Sequence, residues 1–316
     1  MTDQSAGPPR DCDAWRCTTR SYSCIVGLRV DIVVCNEEFS MELYDQHLHS
    51  RHSFDSQADP RANVVAAVRR GLAGLTFTEH FDVHPSDWPT CVYDDDAYGE
   101  TIAGLRREFG DALFIGKGIE VCYQPRQMDR IVRFLEEHSF DLVILSVHYF
   151  GTSALHRREH WEGVDAATGT RRYLAHVADA VRCVRDLQSG RDRVFDVLGH
   201  LDLVKRYTHR FLGECKVDAC RDLIGEILEN CVASGITPEI NTSTLRQGLC
   251  ETSPNQSTVR DYAKLGGDAM SLGSDAHESS AVGTGFDEAL SMLRDAGLRN
   301  VAVFESRKRR LVPIGV

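Results

Sequence analysis

From Met41 onward the chain alternates between two hydrophobic periods. Short strand-like runs at 43–47, 74–78, 113–121, 141–147, 194–198, 236–240, 269–272 and 300–304 have the length of buried strands. Between them, 62–70, 101–109, 128–138, 173–187, 217–233, 257–265 and 285–296 repeat apolar residues at the 3.6-residue period, which predicts helices packed by one face. Glycine closes or follows several of these helices, at Gly71, Gly110, Gly235, Gly266 and Gly297, where a left-handed residue would cap the last turn. Strand–helix alternation repeated seven times predicts an α/β protein with a parallel sheet, either open or closed into a barrel.

Residues 1–40 read differently: four cysteines, a Gly-Pro-Pro, little periodicity, and one apolar stretch at 31–35. They are expected to form an N-terminal extension, either disordered, or adding a strand, or lying upstream of the functional start; residues 41–316 form the main domain. The 316-residue chain carries a formal charge of −11, which argues against a surface that tracks nucleic-acid phosphates. A small phosphorylated ligand held by a few local cations remains compatible with it. Eleven cysteines, irregularly spaced and without a CxxC pair, fit free thiols in a reducing compartment. No apolar run approaches the ~18 residues of a membrane span, and no secretory h-region is visible, so a soluble cytoplasmic protein is expected.

The chemistry lies where the strands end. The first closes on His47-Leu48-His49, with Asp55 eight residues after His47. The second ends in Glu79-His80, the third carries Glu120, the fourth delivers His148, the fifth His200, the sixth Glu239 and Asn241, and the seventh Asp275 and His277. Histidines at i and i+2 share one face of a strand and can reach a common ion. A single histidine at a strand end is usually structural, but six of the thirteen histidines fall at such ends, together with acids. In a parallel barrel those ends converge on one face. Burying so many titratable groups together is costly unless divalent cations compensate them. Imidazole plus carboxylate without thiolate suits zinc, iron or manganese, and nine such groups are enough for two or three ions.

The pieces HLH (47–49), Asp55, TEH (78–80), GIE (118–120), SVH (146–148), GHLD (199–202) and GSDAH (273–277), in that order, resemble the polymerase-and-histidinol-phosphatase (PHP) superfamily of metal-dependent phosphoesterases. Within it, GHLDLVKRY, EINTSTLR, LGSDAHESSAVGTGFDEAL and VAVFESRKRRLVPI are similar to the histidinol phosphatase branch. The resemblance runs through residues 43–313. It implies a distorted (β/α)7 TIM-like barrel with a metal centre at the C-terminal face of the strands. His47, His49, Asp55, His80, Glu120, His148, His200, Asp275 and His277 are its implied ligands, for two or three zinc, iron or manganese ions. Glu120 is the implied bridging carboxylate, and Glu120, Asp275 and His277 are assigned to catalysis. The implied reaction is hydrolysis of a phosphate monoester, L-histidinol phosphate to L-histidinol and phosphate in histidine biosynthesis. The alternative is a relative acting on nucleotides or nucleic-acid 3′ ends, which the acidic chain disfavours. Two departures stand out: Glu79 replaces the usual Asp of TDH, and Thr244 stands where Gly is frequent, at a turn that could need positive φ.

A phosphate also needs protein cations, preferably an arginine fork. Arg246 and Lys205 follow strand ends on the active face and are the expected substrate contacts, with Arg157 and Arg206 as weaker candidates. Glu239 and Asn241 are expected to orient ligands. His52, His84, His138, His156, His160, His176 and His209 lack a strand-end position and are set aside. Trp88, Trp161 and Tyr149 are candidates for a pocket wall, with ordinary packing as the plainer role.

Overall fold

The computed structural model describes residues 16–23, 29–36, 41–85, 91–150, 153–190 and 193–315. The chain divides into two compact units, 1–41 and 42–316. In the first, β1 (Arg16–Ser23) and β2 (Arg29–Asn36) pair antiparallel as a hairpin. Trp88 lies outside the described residues.

The second unit builds a seven-stranded parallel sheet from β3 (Tyr44–Leu48), β4 (Gly74–Phe81), β5 (Phe114–Cys122), β6 (Leu142–Ser146), β9 (Val197–Leu198), β10 (Thr237–Asn241) and β11 (Ser271–Gly273). Between β6 and β9 a small antiparallel pair, β7 (Tyr149–Phe150) and β8 (Ser153–Ala154), follows His148. The order β3-β4-β5-β6-β9-β10-β11 closes on itself: the Asp275 amide donates to the His47 carbonyl at 2.7 Å, and His49 N to Ala276 O at 2.8 Å. The result is a nearly closed barrel, as the family resemblance implied, where the strand–helix alternation alone allowed either an open sheet or a closed one. Every residue of β6 is buried, as expected when a strand has packing on both faces.

The helices α1 (Pro60–Arg69), α2 (Asp95–Phe109), α3 (Met128–Glu137), α4 (Ala166–Gln188), α5 (Val204–Leu212), α6 (Arg221–Ser234), α7 (Ser243–Arg246), α8 (Gln256–Lys264) and α9 (Phe286–Asp295) connect the strands. Side-chain caps start three of them: Asp94, Asp165 and Asn255 accept from the backbone three residues on. Gly71, Gly235, Gly266 and Gly297 take the left-handed conformation expected of them, but Gly110 does not; at φ −61° it stays right-handed and continues the α2 turn.

The last run, expected as an eighth strand, is β12 (Asn300–Glu305), which folds back on β13 (Lys308–Pro313) as an antiparallel hairpin. Its turn meets the N-terminal ends of the barrel strands: Arg307 N and Ser306 N donate to Asp141, and Arg307 Nε donates to Asp196 at 2.5 Å. Ala302 and Phe304 join Leu142, Ile144, Val197 and Ala269 in one apolar cluster. This end of the barrel is thereby packed shut, leaving the C-terminal end for chemistry.

Candidate metal centre

Strand register assembles the site. His80 on β4 is the direct partner of Glu120 on β5, so imidazole and carboxylate leave neighbouring strands side by side. On β3 the pairing with β4 slips between Asp45 and Leu48, just where His47 and His49 turn toward the barrel axis. Gly273 on β11 makes room for the cluster: a Cβ there would strike the Glu239 carboxylate and lie 2.5 Å from His47 Cβ.

Glu120 sits at the centre, fully buried. Its Oε1 lies 2.9 Å from His200 Nε2, 3.2 Å from His148 Nε2 and 3.4 Å from His47 Nε2. Its Oε2 lies 3.0 Å from His80 Nδ1 and 3.4 Å from His49 Nε2. Asp55 bridges His80 and His277 at 3.3 and 3.1 Å, and Asp275 Oδ1 is 3.6 Å from both His49 Nε2 and His277 Nδ1. All nine residues implied by the sequence resemblance are thus brought together at the C-terminal mouth.

Several of these atoms approach one another without making hydrogen bonds. His47 Nε2, His49 Nε2, His80 Nδ1 and Glu120 Oε2 are buried and unpartnered among the described residues. Orphaned donors and acceptors in an interior cost roughly 1–3 kcal/mol each, so four at one point need a ligand to satisfy them. Four overlapping triads, His47/His49/Glu120, His49/His80/His277, His80/Asp82/His148 and Glu120/His148/His200, bring their ligand atoms within 4.8 Å of one another, close enough to hold metal ions. The residues present therefore fit a group of cations.

The electrostatics agree. Burial would raise the Glu120 carboxyl, but His47, His148 and His80 hold it well below the usual range. Burial would lower His47, yet Glu239 and Glu120 raise it well above an ordinary imidazole; Glu120 does the same for His80 and His148. His49 is pushed down to about 3, by burial and then by His80 and His277. Protons alone satisfy this cluster only by setting like charges side by side, whereas divalent ions let every imidazole stay neutral.

A second layer orients the ligand atoms. Glu239 accepts from His47 Nδ1 at 2.8 Å and from the His200 amide at 2.8 Å, and Asn241 Nδ2 donates to it at 3.2 Å, the orienting role expected of both. Ser146 Oγ donates to Glu120 at 2.6 Å. Glu79 accepts from Ser50 and Ser53, and Ser53 Oγ lies 3.2 Å from His49 Nδ1, so the longer acid in place of Asp reaches the histidine through a hydroxyl. Thr244 sits in α7, a right-handed helix that places no demand for glycine on it.

Three outcomes differ from the sequence reading. Lys205, expected at the substrate, is fully buried and paired with Asp202 at 2.9 Å and Glu251 at 3.0 Å, with the Thr252 carbonyl as a third partner. Arg246 turns to its own neighbours, giving Nη2 to the Ser274 carbonyl at 2.6 Å and Nη1 to the Thr284 hydroxyl at 2.9 Å. Neither lines the cavity over the cluster. That cavity, about 270 Å³, is lined by Arg206 with Phe54, Tyr149, Leu203, Tyr207 and His156 around the site acids and histidines. Arg206 also donates to Asp275 Oδ2 at 3.0 Å and to Ser243 Oγ at 2.6 Å. Asp82, absent from the sequence reading, lies 3.1 Å from His148 Nδ1; its only sequence signal is an acid two residues beyond His80. Of the histidines set aside, His52 pairs with Thr101, His84 stacks on Tyr149, and His156 reaches the cavity wall. Trp161 is buried packing, its indole donating to Leu155 O.

A parallel barrel whose C-terminal mouth gathers histidines and acids around one glutamate defines a metal-site class, and the PHP domain family matches residues 45–243; the chain belongs to that family. Two relatives with similar sequences carry the name histidinol-phosphatase. A Deinococcus radiodurans protein named "Probable histidinol-phosphatase" is 31% identical over 272 residues, covering 84% of this chain and 98% of its own. The histidinol-phosphatase of Lactococcus lactis is 28% identical over 276 residues, covering 85% and 96%. The crystal structure of the L. lactis histidinol phosphate phosphatase, complexed with zinc, L-histidinol and phosphate, superimposes with a TM-score of 0.75 at 28% identity, covering 86% of this chain and all of that one.

Proposed function

We propose that the chain hydrolyses L-histidinol phosphate to L-histidinol and phosphate in histidine biosynthesis. In this reading two or three zinc, iron or manganese ions are held by His47, His49, Asp55, His80, Glu120, His148, His200, Asp275 and His277. The observation that carries it is the convergence of unpartnered imidazole and carboxylate atoms on Glu120 beneath a small cavity. The full-length relatives supply the substrate. Divalent ions in such a site supply Lewis acidity, which activates water and neutralises the phosphoryl oxygens.

The chain's own residues do the rest. Glu120 has two oxygens, each facing a different set of histidines, and so can serve two sites at once. Asp275 and His277 both line the cavity, where a carboxylate oxygen or imidazole nitrogen left free by the ions could carry a proton from the attacking water to the leaving alkoxide. Arg206 presents the cavity's guanidinium among the described lining residues and is assigned to the phosphate. Phe54, Tyr149 and Tyr207 offer apolar faces to an imidazole ring. The partner is a small phosphorylated molecule; no described helix is long and apolar enough to cross a membrane. Cys91, Cys122, Cys183, Cys215, Cys220, Cys231 and Cys250 are free thiols, in keeping with the cytoplasmic setting proposed for the chain.

Phosphate release from L-histidinol phosphate, nucleoside monophosphates and 3′-phosphorylated oligonucleotides tests the reading. Histidinol phosphate should be preferred by a wide margin in kcat/KM. Preference for a nucleotide would shift the assignment to another branch of the family.

A further inference from the structure

Asp275 carries a side chain yet holds φ at +50°, in the left-handed region that L-residues avoid. Such a conformation persists only where the surroundings impose it. Two side chains do so from opposite sides of the Ser274–Asp275 segment. Asp45, fully buried, accepts from Ser274 N at 2.9 Å, from Ser274 Oγ at 2.5 Å and from Gly283 N at 2.8 Å. Arg246 grips the carbonyl side: its Nη2 donates to Ser274 O at 2.6 Å and to Asp275 O at 3.3 Å, while Nη1 is tied to Thr284. The Asp275 amide itself is tied to the His47 carbonyl on β3 at 2.7 Å. Amides, carbonyls and the neighbouring strand therefore all hold the turn that aims the Asp275 carboxylate at His49 and His277.

We propose that Arg246 and Asp45 are paired positioning residues that fix Asp275 in its left-handed, ligand-presenting conformation, so that Arg246 acts through Asp275 and not on the substrate. The inference rests on the reading of Asp275 as a metal ligand. A guanidinium fork suits the task because its two Nη groups, fixed in one plane, reach two successive carbonyls and a hydroxyl in a set geometry, whereas an ammonium donates from a single rotating point. Without it the two carbonyls lose a charged donor and the turn is free to relax toward negative φ, drawing the carboxylate away from its neighbours. Asp45→Asn would place an amide group among donors that now all point at a carboxylate, with the same consequence.

The test is zinc affinity, measured by competition with a chromophoric chelator on the stripped full chain. Wild type, R246A, R246K, D45N, D275A and the R246A/D275A double variant are compared, alongside KM and kcat for L-histidinol phosphate at saturating zinc. R246A should weaken one zinc site about 10–100-fold, with KM unchanged. R246K should fall between R246A and wild type. The double variant should bind zinc no more weakly than D275A alone, because the arginine's effect passes through the aspartate. A raised KM with unchanged zinc affinity in R246A would return the arginine to the substrate and overturn the proposal. So would an additive double variant. If D275A itself binds zinc as wild type does, the ligand reading fails and the proposal with it. Should D45N not fold, the Arg246 series decides the question alone.

Discussion

The two mouths of the barrel contain similar residue types and use them in opposite ways. At the N-terminal end, Asp196 meets the Arg307 guanidinium and the Val143 amide, and apolar residues from β6, β9 and β12 close the space around Phe304. At the C-terminal end, Glu120 meets five imidazoles and no arginine or lysine among its described partners. A guanidinium keeps its charge at every accessible pH, so the first arrangement is complete within the protein. Imidazole does not, and the second arrangement is complete only with cations. One mouth is built for stability and the other gives up stability for a site.

The contrast can be broken most severely at its centre. Glu120→Gln removes the charge on which five histidines converge, and turnover should fall to background even at saturating metal; measurable phosphate release above that level would contradict the central role. Next, Gly273→Ala should push Glu239 and His47 apart, lowering metal affinity about 10–100-fold with the barrel intact by circular dichroism. At the other mouth the signs reverse. Phe304→Ala should cost about 3–5 kcal/mol of folding stability in a denaturant titration while activity per folded molecule is retained. A loss of activity without loss of stability there would erase the division of labour. The smallest effect belongs to Arg309, which pairs with Asp268 at 2.5 Å on the outer surface. The hydrogen bond from Arg309 lowers the Asp268 pKa below its ordinary 3.8, so its contribution is present above that value and is lost as pH falls through the lowered one. Solvent screening limits Arg309→Ala to about 1 kcal/mol or less at neutral pH, shrinking further in acid.

Much of the site was legible because parallel strands deliver their last residues to one face, so polar groups ending apolar runs could be grouped without knowing the coordinates. His47, His49, His80, Glu120, His148, His200, Asp275 and His277 follow that rule. Asp82 follows it as well, one residue past the end of β4, but it stands outside the TEH motif and was not singled out. Of the cations weighed for the substrate, Arg206, the weaker candidate, lines the cavity, and Lys205 and Arg246 do not. Neighbouring residues on a helix point about 100° apart, so α5 sends Lys205 into the interior and Arg206 to the cavity. That helix was not singled out, although Val204, Tyr207, Phe211 and Leu212 recur at helical spacing along it. β9 is only Val197–Leu198, shorter than its apolar run, although Asp196 just before it still bonds Val143 O and Thr237 N through its backbone. The eighth run was recognisable as a strand, but nothing in its local pattern says that its partner is β13 and not the barrel.

The central claim is that the C-terminal mouth needs cations in order to hydrolyse a phosphate monoester. Stripping the full chain with a chelator and titrating zinc or manganese back, with bound ions counted per chain as phosphate release from L-histidinol phosphate is followed, addresses it directly. The account predicts no release from the stripped protein and a return of activity that saturates as two or three ions bind. Full activity in the stripped protein, or stoichiometric ion binding without any phosphate release, would contradict it.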